Sequence, residues 1–161
     1  MKHRFLLFAT LLVVLDGQTP APAQSAPAIA PEFPGFSVEV TLTEKAKAKL
    51  VASKETIIVA GYLSGDPKKS APKKLLDEMG QIGLGEIKSE IQPGNVAHFG
   101  EIKMKKDALA QIDINGPQLL INVYSGRRSS KNNLLDCDIY EDALRPILGT
   151  TIPISCKLIG E

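Results

Sequence analysis

The chain has 161 residues, of which 43% are hydrophobic and only 5% aromatic, with no tryptophan. Its 19 basic and 18 acidic residues leave a formal net charge of +1, so no global field attracts nucleic acid or anionic membranes. The shortage of aromatic rings also disfavours carbohydrate and single-stranded nucleic acid as ligands, because both are bound on stacking platforms.

The N-terminus has the layout of a secretory signal peptide. A basic start at residues 1–4 precedes an apolar run over 5–15 that is too short to cross a bilayer as a helix. We therefore predict a signal peptide at 1–23, cleaved after Ala23 or Ser25, and a secreted or periplasmic protein with no membrane span after cleavage. An uncleaved signal anchor is the alternative.

An Ala/Pro-rich linker is predicted at 24–35, followed by a single folded domain at 36–161. Apolar and polar residues alternate over 36–42, which predicts a strand with one solvated face. A hydroxyl cap at Thr43 and strong helix formers predict a short helix to about Ser53. Residues 56–63 are β-branched and apolar on both faces, as in a central strand covered on both sides.

The middle of the chain alternates between turns and strands. Residues 64–71 predict an exposed basic loop, and 74–79 one helical turn. Glycines at 80–85 predict a kinked or bulged strand continuing to Ile91. The Gln-Pro-Gly-Asn turn at 92–95 predicts that strands 86–91 and 96–104 pair as an antiparallel hairpin.

The last third supplies two further predicted strands. Residues 118–125 follow a turn and read as a strand, and 127–133 form a polar loop. Residues 135–144 fit either a strand edge or a helical turn. Residues 151–159 predict a closing strand in which Pro153 favours an edge position.

About seven short strands, frequent turns and one or two short helices predict an all-β fold, an antiparallel two-sheet sandwich. In outline it resembles an immunoglobulin-like or transthyretin-like sandwich. It lacks the tryptophan and the long cysteine spacing of true immunoglobulin domains.

The two cysteines, Cys137 and Cys156, are predicted to form a structural disulfide, since an exported protein meets oxidising conditions. The bridge would fasten the last strand to the loop before it. A reactive thiol or a metal ligand is the alternative, although no histidine or second cysteine lies nearby in sequence.

Two polar loops are the candidate binding sites, since sandwich domains often bind through loops at one end. The segment 125–131 resembles an anion site, because hydroxyls, backbone amides and guanidinium groups concentrate there. A merely solubilising loop is the alternative. The candidate binding residues are Asp66, Lys68, Lys69, Arg127, Arg128 and Lys131.

Two weaker candidates concern metals. Four carboxylates cluster around Cys137 and offer the oxygen ligands that Ca²⁺ prefers, namely Asp136, Asp138, Glu141 and Asp142. His98 with Met104 or Met79 would suit copper. A solvated acidic turn and a surface histidine are the plainer interpretations.

No nucleophile motif accompanies His98, the one histidine after the signal, so we predict no enzyme and no cofactor. The leading hypothesis is an exported, non-catalytic domain that binds a protein or cell-envelope component through its loops. A metal-handling (Ca or Cu) domain is the alternative, and a hydrolase ranks last. The oligomeric state and the identity of the partner are not predicted.

Overall fold

The fold is a sandwich of two four-stranded sheets, seen in a computed structural model that describes residues 33–161. The predicted signal peptide and most of the predicted linker lie outside these residues. The strands are β1 (Phe36–Leu42), β2 (Ile57–Gly65), β3 (Ile82–Ile91), β4 (Val96–Phe99), β5 (Gln118–Ser125), β6 (Leu135–Cys137), β7 (Tyr140–Ala143) and β8 (Thr151–Leu158). The helices are α1 (Glu44–Ser53), α2 (Lys106–Leu109) and α3 (Leu144–Ile147), with a 3₁₀ turn at Lys73–Leu75.

Sheet A has the strand order β4-β1-β8-β6, and sheet B has the order β3-β2-β5-β7. The predicted two-sheet sandwich is confirmed, with eight strands instead of about seven. One pair departs from the antiparallel prediction, because β1 and β8 run parallel. A parallel pair needs a long crossover, and here almost the whole chain between the two strands supplies it.

The predicted hairpin of 86–91 with 96–104 is wrong. Asn95 N donates to Gln92 O at 3.0 Å, so the turn exists, but it carries the chain from β3 in sheet B to β4 in sheet A. Strand β4 ends at Phe99, and the chain returns until Lys105 N donates to Leu84 O. The turn residues specify a reversal of the chain, whereas the burial of Ile91 and Ala97 decides which sheet each strand joins.

Helix α1 begins as predicted. Thr43 is its N-cap, and its hydroxyl accepts a hydrogen bond from Ala46 N at 3.1 Å. The helix buries only Ala46 and Leu50, a narrow apolar stripe. It ends at Ser53, and its C-cap Lys54, whose φ of 54° lies in the left-handed region, is followed by the buried Glu55.

Strand β2 is the centre of sheet B, as predicted, and its inward residues Ile57, Val59 and Leu63 are buried. The prediction that both faces of this strand are covered is wrong. Tyr62 on the outer face is 40% exposed, which shows that no second layer covers it. The predicted irregularity of the glycine-rich strand is confirmed. The register of β3 shifts opposite Leu63 and Ser64, leaving Leu84 as the extra residue of a bulge.

Two details at the chain's ends differ from expectation. Phe33 is buried and its carbonyl accepts a hydrogen bond from Ile102 N, so packing extends into the predicted linker. Strand β8 lies inside sheet A and not at its edge. Because β6 pairs only with residues 156–158, Pro153 nevertheless has a paired strand only on its β1 side.

The predicted disulfide between Cys137 and Cys156 is present, and it joins residues directly opposite each other on β6 and β8. It therefore links two strands of one sheet. Segment 135–144 forms two short edge strands, the first of its two predicted alternatives, and helix α3 begins only at its last residue. Within residues 33–161, no helix is long and apolar enough to cross a membrane.

Removing the disulfide with the double change Cys137→Ser and Cys156→Ser should lower the free energy of unfolding by about 3 kcal/mol, because the unfolded chain gains loop entropy. Urea denaturation with and without reductant measures this. Reductant should shift the wild-type midpoint and leave the double variant unchanged. An unshifted wild type would contradict the stabilising role.

Candidate functional site

The two predicted binding loops lie at opposite ends of sheet B. Strands β2 and β5 run antiparallel, with Ile57 opposite Ser125 and Ser64 opposite Gln118. The 66–81 loop follows the last residue of β2, and the 126–134 loop follows the last residue of β5. The structure therefore separates Asp66, Lys68 and Lys69 from the 126–134 loop, which we call the arginine loop. The two loops cannot form one binding surface at one end of the sheet.

The arginine loop is built around a buried carboxylate, Glu55, which is 0% exposed. Its Oε1 accepts hydrogen bonds from Thr56 N at 3.0 Å and Arg128 N at 2.8 Å. Its Oε2 accepts from Ser129 N at 2.8 Å and from the Ser129 hydroxyl at 2.6 Å. The anion-binding chemistry predicted for this loop is present, but its occupant is the protein's own glutamate.

A second carboxylate, Glu90, binds the Arg128 guanidinium. Arg128 Nε donates to Glu90 Oε1 at 2.8 Å, and Nη2 donates to Oε2 at 2.6 Å. The Thr56 hydroxyl also donates to Glu90 Oε1 at 2.6 Å. Arg128 is thus held in a two-point pair, an arrangement that fixes the planar guanidinium.

The carboxylate pKa values follow from these contacts. Burial raises the pKa of Glu55, but hydrogen bonds from the Ser129 hydroxyl and three backbone amides together outweigh it and lower the pKa from 4.5 to about 2. Hydrogen bonds from Arg128 and then Thr56 lower the pKa of Glu90 to about 2 as well. Both groups are therefore ionised at neutral pH, and the loop is fixed by charge.

The backbone of the loop is adapted to this close approach. Gly126 N donates to Thr56 O at 2.8 Å, and a Cβ at Gly126 would collide with the Thr56 hydroxyl. The next residue, Arg127, has a φ of 58°, in the left-handed region. Arg127, Arg128 and Lys131 are all exposed, and Arg128 is bound to Glu90 at the surface.

The opposite loop is tied to its neighbour in a similar way. Lys68 Nζ donates to Ala110 O at 2.7 Å, and Lys68 N donates to Gln111 O at 2.9 Å. The carbonyl of Asp66 accepts from Asp113 N at 2.8 Å. Lys68 and Asp66 therefore join two loops, while the side chains of both Lys68 and Lys69 are exposed.

The predicted carboxylate cluster is divided between the sheets. Asp136 precedes Cys137 on β6, and Lys157 Nζ lies 3.6 Å from its carboxylate. Asp138 follows Cys137, and both aspartates line a shallow groove beside the disulfide. Glu141 and Asp142 lie on β7 of sheet B. Within the described residues, no three His, Cys, Asp or Glu side chains are grouped closely enough to hold a metal ion.

His98 lies on the outer face of β4, where its Nδ1 is 2.9 Å from the hydroxyl of Ser37 on β1. Ser37 was not among the predicted site residues, because the pairing of β1 with β4 was not foreseen. A serine and histidine in contact are one requirement of nucleophilic catalysis. Within residues 33–161, neither side chain lines any of the three clefts around Tyr62, Glu39 and Asp136.

A cleft of about 480 Å³, which was not predicted from the sequence, lies on the outer face of sheet B. One row of cross-strand neighbours forms its floor, with Glu86 opposite Tyr62, Tyr62 opposite Leu120, and Leu120 opposite Glu141. Asp77, Gln81 and Lys105 form the wall at the end of the strands. The one signal in the sequence was Tyr62, an aromatic residue in an otherwise aliphatic strand.

The wall of the cleft is fixed by hydrogen bonds. Asp77 Oδ1 accepts from Met79 N and Gln81 N, both at 2.9 Å. The Gln81 amide in turn accepts from the Ser64 hydroxyl at 3.0 Å, which ties the wall to β2. The cleft is therefore preformed, with an apolar centre and charged groups around it.

Comparisons with protein families, with curated proteins and with solved structures find no match to this chain.

Replacing Glu55 with Gln should lower the free energy of unfolding by about 3 kcal/mol, because an amide NH₂ would face donors that now bind an ionised oxygen. Urea denaturation at neutral pH measures the loss. Glu78→Gln is the matched control, since Glu78 is exposed in the 77–80 turn. Equal midpoints for the two variants would show that the Glu55 carboxylate does not hold the loop.

Acid should release the same loop. Because folding lowers the pKa of Glu55 and Glu90, their contribution to stability is complete above about pH 4.5 and is lost as pH falls toward about 2. Denaturation across this interval should show stability falling steeply in wild type and in Glu78→Gln. The fall should be shallower in Glu55→Gln, and an unchanged slope would contradict the assignment.

Proposed function

We propose that this chain is an exported, non-catalytic β-sandwich domain that binds a protein or a cell-envelope component through the cleft on sheet B. The observation that carries the proposal is the row Glu86, Tyr62, Leu120 and Glu141, which places an exposed aromatic and an aliphatic side chain between two carboxylates. Apolar lining with a few placed polar groups is typical of binding sites.

The size and rigidity of the cleft support binding. Its volume of about 480 Å³ lies within the range of ligand pockets, roughly 300–1,000 Å³. Its floor rests on four hydrogen-bonded strands, and its wall is tied to Ser64. A preformed site avoids the entropic cost of ordering loops when the partner binds.

The chemistry of the site favours binding over catalysis. The side chains that line the cleft include neither histidine, the commonest general base, nor cysteine, a common nucleophile. The contact between Ser37 and His98 lies on the other sheet, away from this cleft. A hydrolase therefore has no single place where a nucleophile, a base and a bound substrate meet among the described residues.

Two features support export. The N-terminal sequence has the pattern of a secretory signal, and a disulfide such as Cys137–Cys156 persists in oxidising compartments. The arginine loop then has a different role from the one first considered, since Glu55 and Glu90 occupy its donors. It supports the fold, and the cleft is the contact surface.

A photo-crosslinking amino acid at position 62 tests the proposal in cells that export the protein. We expect a discrete higher-mass adduct, because residue 62 lies in the floor of the cleft. The matched control carries the same group at Thr151, an exposed position on sheet A. No adduct at 62, or equal adducts at both positions, would sink the proposal.

A further inference from the structure

We propose that the cleft binds an extended, basic segment of a partner protein, with two cationic side chains flanking an apolar one. This inference rests on the proposed function and specifies its ligand. Three features of the cleft lead to it: the length of the floor row, the apolar surface at its centre, and the sign of the charges around it.

The floor row sets the length of the ligand. Glu86 and Glu141 lie on the two outer strands of sheet B, β3 and β7, with β2 and β5 between them. Three interstrand spacings of about 4.8 Å separate the outer strands by about 14 Å. An extended chain advances about 3.4 Å per residue, so four steps cover this distance and place residues i and i+4 above the two carboxylates.

The centre of the row is apolar and open. Tyr62 is 40% exposed and Leu120 is half-buried beside it. The adjoining row toward the wall consists of small or polar residues, with Gly83 opposite Ser64 and Ser64 opposite Gln118. A side chain at Gly83 would meet no atom within 4 Å, so the floor is lower there. An aliphatic side chain at the middle of the segment would cover Tyr62 and Leu120.

The charges select a cationic ligand. Three carboxylates line the cleft, those of Asp77, Glu86 and Glu141, against the single ammonium of Lys105. Lys88 Nζ lies 3.2 Å from Glu86, but both side chains are about half exposed, and such pairs contribute little. Glu86 therefore remains available to a ligand. The exposed ring of Tyr62 also attracts a cation over its face.

The test uses the full exported protein and a blocked five-residue peptide, Lys-Ser-Leu-Ser-Lys, titrated while backbone amide signals are followed by NMR. We expect shifts at Tyr62, Gly83, Gly85 and Leu120. The double variant Glu86→Gln with Glu141→Gln should bind about fivefold to tenfold more weakly, as expected for the loss of two exposed charge pairs. The matched control is Glu39→Gln with Glu44→Gln, which removes the same charge elsewhere and should bind like wild type.

Three outcomes would overturn the proposal. They are equal binding of the peptide Glu-Ser-Leu-Ser-Glu, equal weakening by the control variant, or tighter binding of spermine than of the lysine peptide, which would assign the cleft to a small polyamine. If residue 62 crosslinks a partner in cells while the lysine peptide causes no shifts, the basic segment is wrong and the binding function stands. If neither occurs, the binding function itself fails.

Discussion

The carboxylate of Glu55 fixes one end of sheet B, where helix α1 meets β2 and where the chain leaves β5. The register of the sheet depends on this interaction. It lies between helix α1 and the central strand β2, and it binds the loop that leaves β5, the neighbour of β2. An ionised group without water is costly to bury unless its oxygens are paired, and here four donors pair them. The same bonds that permit the burial also close the loop over the end of the sheet.

The sequence pattern was enough to predict those elements that are determined by residues close together in the chain. The alternation of 36–42 and the cap at Thr43 carry their information within a few residues. The disulfide followed from the presence of two cysteines after a predicted export signal. The hairpin prediction was wrong because a turn sequence specifies that the chain reverses, but not which strand each flanking segment pairs with. Residues 92–95 do turn, but β3 and β4 each bury a face in a different sheet.

The candidate sites show the same boundary between local and distant causes. The loop 125–131 has the donors of an anion site, yet its anion comes from Glu55, which is 73 residues before Arg128. The four carboxylates near Cys137 are close in sequence, but the chain changes sheets between β6 and β7 and separates them. The cleft was missed for the opposite reason, since its floor takes one residue from each of four strands.

The arginine loop and the cleft lie at opposite ends of sheet B, and strand register connects them. Moving β5 by one residue against β2 would turn Leu120 inward and Ile121 outward, because side chains alternate between faces. The row from Glu86 to Glu141 exists only in the native register. Glu55 and Glu90 hold that register from one end by binding the loop after Ser125, while the Leu84 bulge and the Gln81–Ser64 contact hold it at the other. The buried glutamate is thus a structural condition for the binding surface, although it lies outside that surface.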